Sequence, residues 1–350
     1  MKPYQELTRL GRLRRLRQLA RAALDAYGLN GARFTLLRHA GNTLFRVWAA
    51  DPTPAAATNG VYEEGQYLLR IHEPGYQATD AIELELAWLA AMCREAQLPV
   101  QDPIPALDGR LLIQVSIPGV PNALRRNCSL LRWVKGRYLK KDIRPHHYRA
   151  QGRLMARLHN FAVQWQPPAC PTKRRYDWDG LFQDDAGSGV PNREAWPLLP
   201  PSCAEPFQIV ARRVRQAMDE LGQGTDVYGL IHADLGLDAN VLFWKGEPRA
   251  IDFDDSGFGY WVYDLAVALE HCREDTAFPQ YRAALLDGYA HMRSLPEEQL
   301  KHVKLFMAAS DVYWSLWATG GAHLYPHWRE GLAGRMERSA RLVARYVASG

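Results

Sequence analysis

The chain has 350 residues, of which 47% are hydrophobic and 23% charged, as in ordinary globular proteins. This length allows one large domain or two packed lobes. No apolar run approaches the roughly 20 residues that span a membrane, and the basic first segment lacks the apolar core of a secretory signal. The formal net charge of +5 is too small for this length to indicate nucleic-acid binding by itself.

The cysteines argue against a zinc site and against a disulfide framework. They are scattered, odd in number and never form a C-x-x-C pair, at Cys93, Cys128, Cys170, Cys203 and Cys272. A reducing compartment is the simplest explanation, so the sequence predicts a cytoplasmic protein.

Residues 1–31 are predicted to form a helix with a basic face. Apolar residues recur at helical spacing, while five arginines point elsewhere. A helix docked on a lobe with a solvated arginine face is the favoured interpretation. Binding to an anionic membrane or to a partner surface is an alternative. Nucleic-acid binding through this helix is a weaker one, and it would show a steep salt dependence.

Residues 32–133 are predicted to form a small β-rich lobe. Its first part indicates two strands joined by a Gly-Asn turn, followed by a loop at 51–66 and then the strand YLLRIHE. A helix at 78–97 follows, and then the strands GRLLIQVSI and CSLLRWVKG. This order is the one expected of a small lobe that holds a nucleotide.

Residues 134–350 are predicted to form a larger, mostly helical lobe. A turn-rich stretch at 183–201 is predicted to be an exposed loop. Two short β-like pieces, VLFWKG and PRAIDFD, interrupt the helices. The predicted fold class is therefore α+β, with a small antiparallel β lobe and a larger helical lobe.

Acidic and amide side chains are concentrated between residues 232 and 255, at the edges of apolar strands. They are His232, Asp234, Asp238, Asn240, Asp252, Asp254 and Asp255. Loop carboxylates are common in turns, but burial beside apolar strands is costly without a compensating partner. Mg²⁺ is a natural partner because it takes one or two carboxylates together with phosphate oxygens.

This segment resembles the catalytic and metal-binding loops of the aminoglycoside phosphotransferase and choline kinase superfamily, distant relatives of protein kinases. The shared pattern is His232-Ala-Asp234, then Asn240, a short hairpin, and Ile251-Asp252-Phe253-Asp254. The motifs are more similar to those of the homoserine kinase and stress-response kinase branch than to those of antibiotic-resistance enzymes. The resemblance covers about residues 30–320. It implies a bilobal protein-kinase-like fold that uses ATP and Mg²⁺.

The resemblance also implies residue roles. Asp234 would be the catalytic base, Asn240 and Asp252 the metal ligands, and His232 a structural residue of the loop. Asn240 lies six positions after Asp234, one more than in the family pattern, so Asp238 is a rival ligand.

Two further aspartates near this segment have open roles. Asp254 either assists a second metal ion or caps the turn. Asp264 starts a helix, where it would be an N-cap, and the resemblance suggests that it also anchors the catalytic loop.

In the β-rich lobe, Arg70 stands where the family has a strand lysine that contacts the nucleotide phosphates. Arginine keeps the charge but is a planar fork, so the change is not neutral. An ordinary exposed strand cation is the alternative. Glu85 on the next helix is the expected partner of Arg70, and Glu83 competes with it; Glu85 is favoured because Trp88 and Leu89 mark an inward face.

Two further stretches of this lobe resemble nucleotide-binding parts. Gly41, Asn42 and Thr43, within the sequence His39 to Thr43, would cover the phosphates with backbone N–H groups. A plain hairpin turn is the alternative. Trp133, within 130–136, would belong to the hinge whose backbone meets the adenine edge.

The predicted function is transfer of a phosphoryl group from ATP to a hydroxyl group of a small molecule. A protein Ser/Thr acceptor and a nucleotide-binding pseudokinase or scaffold are the alternatives. The late helix supplies Tyr313, Trp314 and Trp317 as core or pocket-wall residues, and Asp311 as the acceptor-site carboxylate to test first. ATP against GTP, the acceptor and the oligomeric state stay open.

Overall fold

A computed structural model describes residues 4–39, 41–50, 60–117, 124–139, 141–185, 187, 189–324 and 329–349. The chain separates into two compact units, Met1–Gly136 and Arg137–Gly350. The first is β-rich and the second mostly helical, which confirms the predicted fold class. Among the described residues, no helix is both long and apolar enough for a membrane crossing.

The first unit contains an antiparallel sheet and, among its described residues, two α-helices. Its sheet runs in the order β1-β2-β3-β6-β4, and β5 also pairs with β6. The elements are α1 (Arg9–Ala26), β1 (Arg33–His39), β2 (Thr43–Trp48), β3 (Tyr62–Ile71), α2 (Thr79–Glu95), β4 (Pro103–Ile104), β5 (Leu112–Ser116) and β6 (Arg125–Val134).

The helix α1 belongs to this unit and covers one face of its sheet. Its buried side chains, Leu16, Leu19, Ala20, Ala23 and Leu24, share a core with strand residues such as Phe45, Val47 and Leu69. Alternate residues of β2 are buried and half-buried, as a strand with one covered face requires. The prediction of a docked helix is confirmed, and arginines such as Arg14 and Arg17 are exposed.

Strand β3 is longer than predicted. It begins at Tyr62, inside the predicted loop at 51–66, so that prediction is wrong for its last residues; residues 51–59 lie outside the described part. Tyr62 pairs with Val134 of β6, and a β-bulge separates this pair from the regular pairing that begins at Tyr67. Pairing with β6 therefore makes a strand of residues whose polar side chains favoured a loop in the sequence.

The second unit contains eight α-helices and five short strands among its described residues. They are α3 (Pro145–Gln164), β7 (Arg175–Tyr176), α4 (Asn192–Ala195), α5 (Pro201–Leu221), β8 (Tyr228–Ile231), β9 (Val241–Trp244), β10 (Glu247–Ala250), β11 (Gly257–Tyr260), α6 (Trp261–Glu270), α7 (Phe278–Ala290), α8 (Glu297–Leu300), α9 (Val303–Leu324) and α10 (Leu332–Ala348). β9 and β10 form a hairpin, while β11 pairs with β7 in parallel and with β8 antiparallel.

Helices α3 and α7 cross at two glycines. A Cβ at Gly152 would collide with the backbone oxygen of Leu285, and a Cβ at Gly288 with that of Arg149. The backbones therefore approach closely, and α3 packs beneath the segment after β8, where Gln151 donates from Nε2 to the backbone oxygen of Leu235 at 2.6 Å.

The predicted exposed loop at 183–201 is wrong in part. Its described residues include α4, and Asn192 and Ala195 are fully buried. Asn192 donates from Nδ2 to the backbone oxygen of Leu181 at 2.9 Å, and Trp196 donates to that of Phe182 at 2.9 Å. These side-chain contacts with a distant turn are invisible to a composition-based prediction.

Candidate active site

The predicted catalytic loop begins directly after β8, at His232. The imidazole donates from Nε2 to the backbone oxygen of Ile251 at 3.0 Å, and its Nδ1 accepts from the backbone N–H of Asp234 at 3.3 Å. One neutral tautomer satisfies both contacts. His232 therefore ties the loop to the end of β10, just before Asp252, in keeping with its predicted structural role.

Asp264 anchors the same loop from below. It is fully buried, and its carboxylate accepts from the backbone N–H of Ala233 at 2.7 Å and of His232 at 3.4 Å. The N-cap prediction for Asp264 is wrong, because α6 has Tyr260 at its N-cap and Asp264 lies inside the helix. Ala233 adopts a left-handed backbone with φ of 65°, a strained conformation that these hydrogen bonds hold in place.

His159 of α3 completes this anchor. Its Nε2 contacts Asp264 at 2.9 Å, and its Nδ1 contacts the hydroxyl of Tyr289 at 2.8 Å. Burial lowers the pKa of His159, although the carboxylate of Asp264 opposes this shift. An imidazole with its proton on Nε2 satisfies both contacts, donating to Asp264 and accepting from Tyr289, so His159 is a packed core residue that holds Asp264 in place.

Asn240 lies against Asp234. Its Nδ2 donates to the backbone oxygen and to the carboxylate Oδ2 of Asp234, both at 2.8 Å. The additional residue of this loop is absorbed in a turn, where the backbone N–H groups of Ala239 and Asn240 both donate to Gly236. Asp238 instead is exposed and faces His271 at 3.7 Å. The structure brings Asn240 to Asp234 and leaves Asp238 outside.

The Asp234 carboxyl lies in a strongly acidic and buried environment. Burial raises its pKa to about 8, the charges of Asp255 and Asp252 add to the rise, and the hydrogen bond from Asn240 opposes it. Glu270 adds a smaller increase. A carboxyl group in such a place gains from a nearby cation and is suited to exchanging a proton near neutral pH.

Asp252 follows β10 in a left-handed backbone conformation, with φ of 63° and ψ of 66°. Such a conformation is uncommon outside glycine and costs free energy, so it usually persists where it aims a functional side chain. Asp254 and Asp255 come next, in a single 3₁₀ turn. The side chain of Asp254 is half-buried, and its role stays open.

These residues fit a magnesium ion that is bound together with phosphate oxygens better than a metal ion held by protein ligands alone. Among the described residues, no group of three His, Cys, Asp or Glu side chains could hold a metal ion. Mg²⁺ keeps several waters and needs few protein ligands when phosphate oxygens complete its shell. Asn240 commits its Nδ2 to Asp234, and no hydrogen bond in the described part of the chain uses its Oδ1.

Arg174 is a residue of this site that sequence reasoning missed. It forms ion pairs with Asp255 and, through Nε at 3.0 Å, with Asp185, which also accepts from the Tyr313 hydroxyl at 2.6 Å. The Tyr176 hydroxyl donates to the backbone oxygen of Asp255 at 2.5 Å. Together these contacts fix the turn after Asp252, and no sequence motif marks Arg174.

A second buried ion pair joins α9 to the end of α6. The guanidinium of Arg273 holds both carboxylate oxygens of Asp311, with Nη2 at 2.5 Å from Oδ1. Burial raises the pKa of Asp311 to about 6, against the opposing effect of Arg273. Glu270 is more open: its Oε2 accepts from Ser310 at 2.8 Å, and its Oε1 is 3.9 Å from Arg273. Asp311 is thus held closely through both carboxylate oxygens, whereas Glu270 has one close hydrogen bond and a longer contact with Arg273.

In the first unit, Arg70 and Glu85 form a buried ion pair. Arg70 Nη1 lies 2.8 Å from Glu85 Oε1, and the side chains are 1% and 0% exposed. Glu83 is exposed, so the structure favours Glu85 as the partner. The alternative of an ordinary exposed cation does not fit a side chain this deeply buried.

The predicted phosphate loop is a tight turn between β1 and β2, of which Ala40 lies outside the described residues. Gly41 has φ of 69°, and the space where a Cβ would stand is open. Asn42 Oδ1 accepts from the backbone N–H of Glu73 at 2.9 Å, and the Thr43 hydroxyl contacts His39 at 2.9 Å. The side chains thus hold the turn against the end of β3. Trp133 is half-buried at the end of β6.

Known proteins resemble this chain over most of its length. A model described as "Phosphotransferase enzyme family" matches residues 60–298. An uncharacterized protein of Deinococcus radiodurans is 27% identical over 309 residues, which cover 86% of this chain and 80% of that protein. The amicoumacin kinase of Bacillus subtilis is 26% identical over 222 residues, which cover 61% of each.

Solved structures share the fold. A microcompartment-associated aminopropanol kinase matches with a TM-score of 0.74 and 26% identity, covering 94% of this chain and 97% of that one. A choline kinase from Cryptosporidium parvum matches with a TM-score of 0.58 and 14% identity, covering 91% of each chain. These likenesses confirm the predicted kinase-like fold.

Proposed function

Because the chain belongs to the phosphotransferase enzyme family, as predicted, we propose that it transfers the γ-phosphoryl group of ATP to a hydroxyl group of a small molecule, with Mg²⁺ as the cofactor. The observation that carries the proposal is the contact of Asn240 with Asp234 in a loop held by His232 and Asp264. This arrangement matches the catalytic logic of phosphoryl transfer, in which one Asp receives the hydroxyl proton and an Asn and a second Asp hold metal.

In this mechanism Asp234 orients the acceptor hydroxyl and takes its proton, for which its raised pKa is suited. Asn240, through Oδ1, and Asp252 would hold Mg²⁺, which supplies neutralisation of phosphate charge when bound. Arg70, oriented by Glu85, would contact phosphate oxygens. Arg174 forms an ion pair with Asp255 and so stabilises the turn that follows Asp252.

A screen of hydroxyl-bearing metabolites for acceptor-stimulated release of ADP tests the proposal. Aminopropanol is the first acceptor to try, because a similar solved structure is described as an aminopropanol kinase. ADP release that depends on Mg²⁺ and on one small acceptor would support the proposal. Nucleotide binding without any transfer would favour a pseudokinase, and transfer only to a protein hydroxyl would contradict the small-molecule acceptor. The screen is run with ATP and GTP in parallel.

The choice of Asn240 over Asp238 gives a first prediction. Asn240→Ala should lower kcat about a hundredfold or more, because it removes a metal ligand and frees the Asp234 carboxylate to turn. Asp238→Ala should keep kcat within about twofold, since Asp238 is exposed. Steady-state rates at a series of Mg²⁺ concentrations give the measurement, and the opposite ranking would make Asp238 the ligand.

Glu270 gives a prediction about the acceptor. Its carboxylate is close enough to raise the pKa of Asp234, and it is less engaged than Asp311. If the acceptor carries an amine, as aminopropanol does, Glu270→Gln should raise its KM about tenfold and leave the KM of ATP unchanged. The exposed Glu298→Gln is the control. An unchanged acceptor KM in Glu270→Gln would remove Glu270 from the acceptor site.

A further inference from the structure

The excess positive charge of the chain lies in its first unit. Met1–Gly136 contains 17 lysines and arginines against 12 aspartates and glutamates, whereas Arg137–Gly350 contains 26 of each. The whole formal excess of +5 therefore belongs to the first unit. Helix α1 carries part of it as exposed arginines, on the side of the helix that does not pack on the sheet.

Three exposed arginines form one row along α1, and we call Arg14, Arg17 and Arg21 the arginine row. At about 100° per residue, the row and the preceding Leu10 fall within about 60° of one another around the helix axis, and the buried side is centred about 120° away. Arg21 also lies 6.0 Å from the ring centre of Phe34. Among the described residues, no carboxylate lies within ion-pair distance of the row, so its charges are not neutralised.

The two most exposed large apolar side chains in the described part of the chain lie at the two ends of this row. Leu10 is 69% exposed, one turn before the row, and Leu107 is 78% exposed. The turn that carries Leu107 packs on the end of α1: its backbone N–H donates to the backbone oxygen of Ala26 at 3.0 Å, and a Cβ at Gly28 would stand 3.1 Å from its side chain. Gly28 comes seven residues after the last arginine of the row, close to the same side of the helix. An exposed leucine thus bounds the row at each end, over roughly 25 Å of helix.

The arginine row is separate from the proposed phosphate site of the same unit. Tyr67, Leu69 and Ile71 of β3 share the core with α1. Arg70 lies between the last two of these residues, and successive side chains of a strand point to opposite faces of the sheet. Arg70 therefore points away from α1. A ligand bound along the arginine row leaves the proposed phosphate site free.

The leucines distinguish between the anionic ligands that the arginines alone would accept. A nucleic acid binds cations through its phosphates, and exposed leucines add nothing to that contact. A second copy of this chain would bring two rows of like charge together, which is unfavourable. An anionic bilayer offers phosphates at its surface and acyl chains directly below them. Guanidinium groups on long side chains can stay at the phosphate level while neighbouring leucines enter the apolar layer.

We propose that α1 docks this protein on an anionic phospholipid surface. Arg14, Arg17 and Arg21 meet the headgroup phosphates, and Leu10 and Leu107 enter the boundary of the acyl chains. Because the row and both leucines lie on one side of α1, the helix axis is parallel to the bilayer. Binding of this kind is reversible and weakens as the salt concentration rises. The inference is independent of the proposed function, since it uses no residue of the candidate active site.

The test is co-sedimentation of the full chain with vesicles of phosphatidylcholine alone, or of phosphatidylcholine and phosphatidylglycerol in equal parts. The wild type should bind only the anionic vesicles. Changing all three arginines of the row to glutamine should lower the partition coefficient about a hundredfold, since each arginine near such a surface contributes about fivefold. The double variant Leu10→Ala/Leu107→Ala should lower it about tenfold. Both variants should unfold in urea like the wild type, because the altered side chains are exposed.

The second unit supplies a control that loses the same charge. Arg153, Arg157 and Arg345 are exposed and form no ion pair with a described carboxylate. Changing all three to glutamine should leave the partition coefficient within about twofold of the wild type, because charges far from the bilayer are screened.

Four outcomes would overturn the proposal. The wild type could fail to bind anionic vesicles, or the arginine-row variant could bind them as the wild type does. Equal losses in the arginine-row variant and the control would mean that net charge alone drives binding. Undiminished vesicle binding by the leucine variant, together with tight binding of an RNA oligonucleotide by the wild type, would make a nucleic acid the ligand instead.

Discussion

Replacing Asp252 with alanine should lower kcat for phosphoryl transfer by about a thousandfold or more, whichever acceptor is used. The proposed role of this carboxylate is to help hold Mg²⁺, and Asp252 is the first carboxylate after β10. Asp254 and Asp255 follow in the same turn, but Asp255 is engaged by Arg174. The measurement is the initial rate of ADP release with saturating Mg²⁺ and ATP.

The backbone at Asp252 permits a control that separates chemistry from stability. Because φ is 63° there, alanine adds strain of about 1 kcal/mol, whereas glycine adopts this conformation freely. Asp252→Gly should therefore be as stable as the wild type in urea unfolding and yet as inactive as Asp252→Ala. Ala233, with φ of 65°, gives the converse variant: Ala233→Gly should keep activity. Full activity in Asp252→Gly would remove Asp252 from the metal site.

Much of the second unit's site could be predicted because its residues are close together in sequence. A short loop and one hairpin carry His232, Asp234, Asn240 and Asp252, so their spacing alone indicates the chemistry. The fold class was equally predictable, since strands and helices are segregated along the chain. Spacing alone did not separate Asn240 from Asp238 as the expected ligand; in the structure the turn at Gly236 directs Asp238 toward His271, while Asn240 contacts Asp234.

The residues that sequence reasoning missed act through contacts between distant parts of the chain. Arg174 reaches Asp255 across 81 positions, and Arg273 reaches Asp311 across 38. A single arginine has no local sequence pattern that indicates its partner, so the acceptor prediction rested on Asp311 although both of its carboxylate oxygens are bound by Arg273.

Asp264→Asn should both destabilise the second unit and disable the catalytic loop. The carboxylate is 0% exposed and accepts three hydrogen bonds, from Ala233, His232 and His159. An amide has one acceptor oxygen, so its NH₂ group would face a donor, and the cost should be about 3 kcal/mol in the free energy of unfolding. Because Ala233 holds a strained backbone, the loop should relax and kcat should fall about a hundredfold.

The series of hydrogen bonds from Asp264 to His159 and Tyr289 offers a graded control for this variant. Tyr289→Phe removes only the hydroxyl that donates to His159 at 2.8 Å, and His159 and Asp264 stand between that hydroxyl and the loop. This variant should lose about 1 kcal/mol in the free energy of unfolding and keep kcat unchanged. Urea unfolding and kcat are measured at a temperature where each variant is fully folded, so that a lower rate is not a lower folded fraction. If Asp264→Asn loses stability but keeps kcat, Asp264 supports the core only, and Ala233 and Asp234 keep their conformation without it.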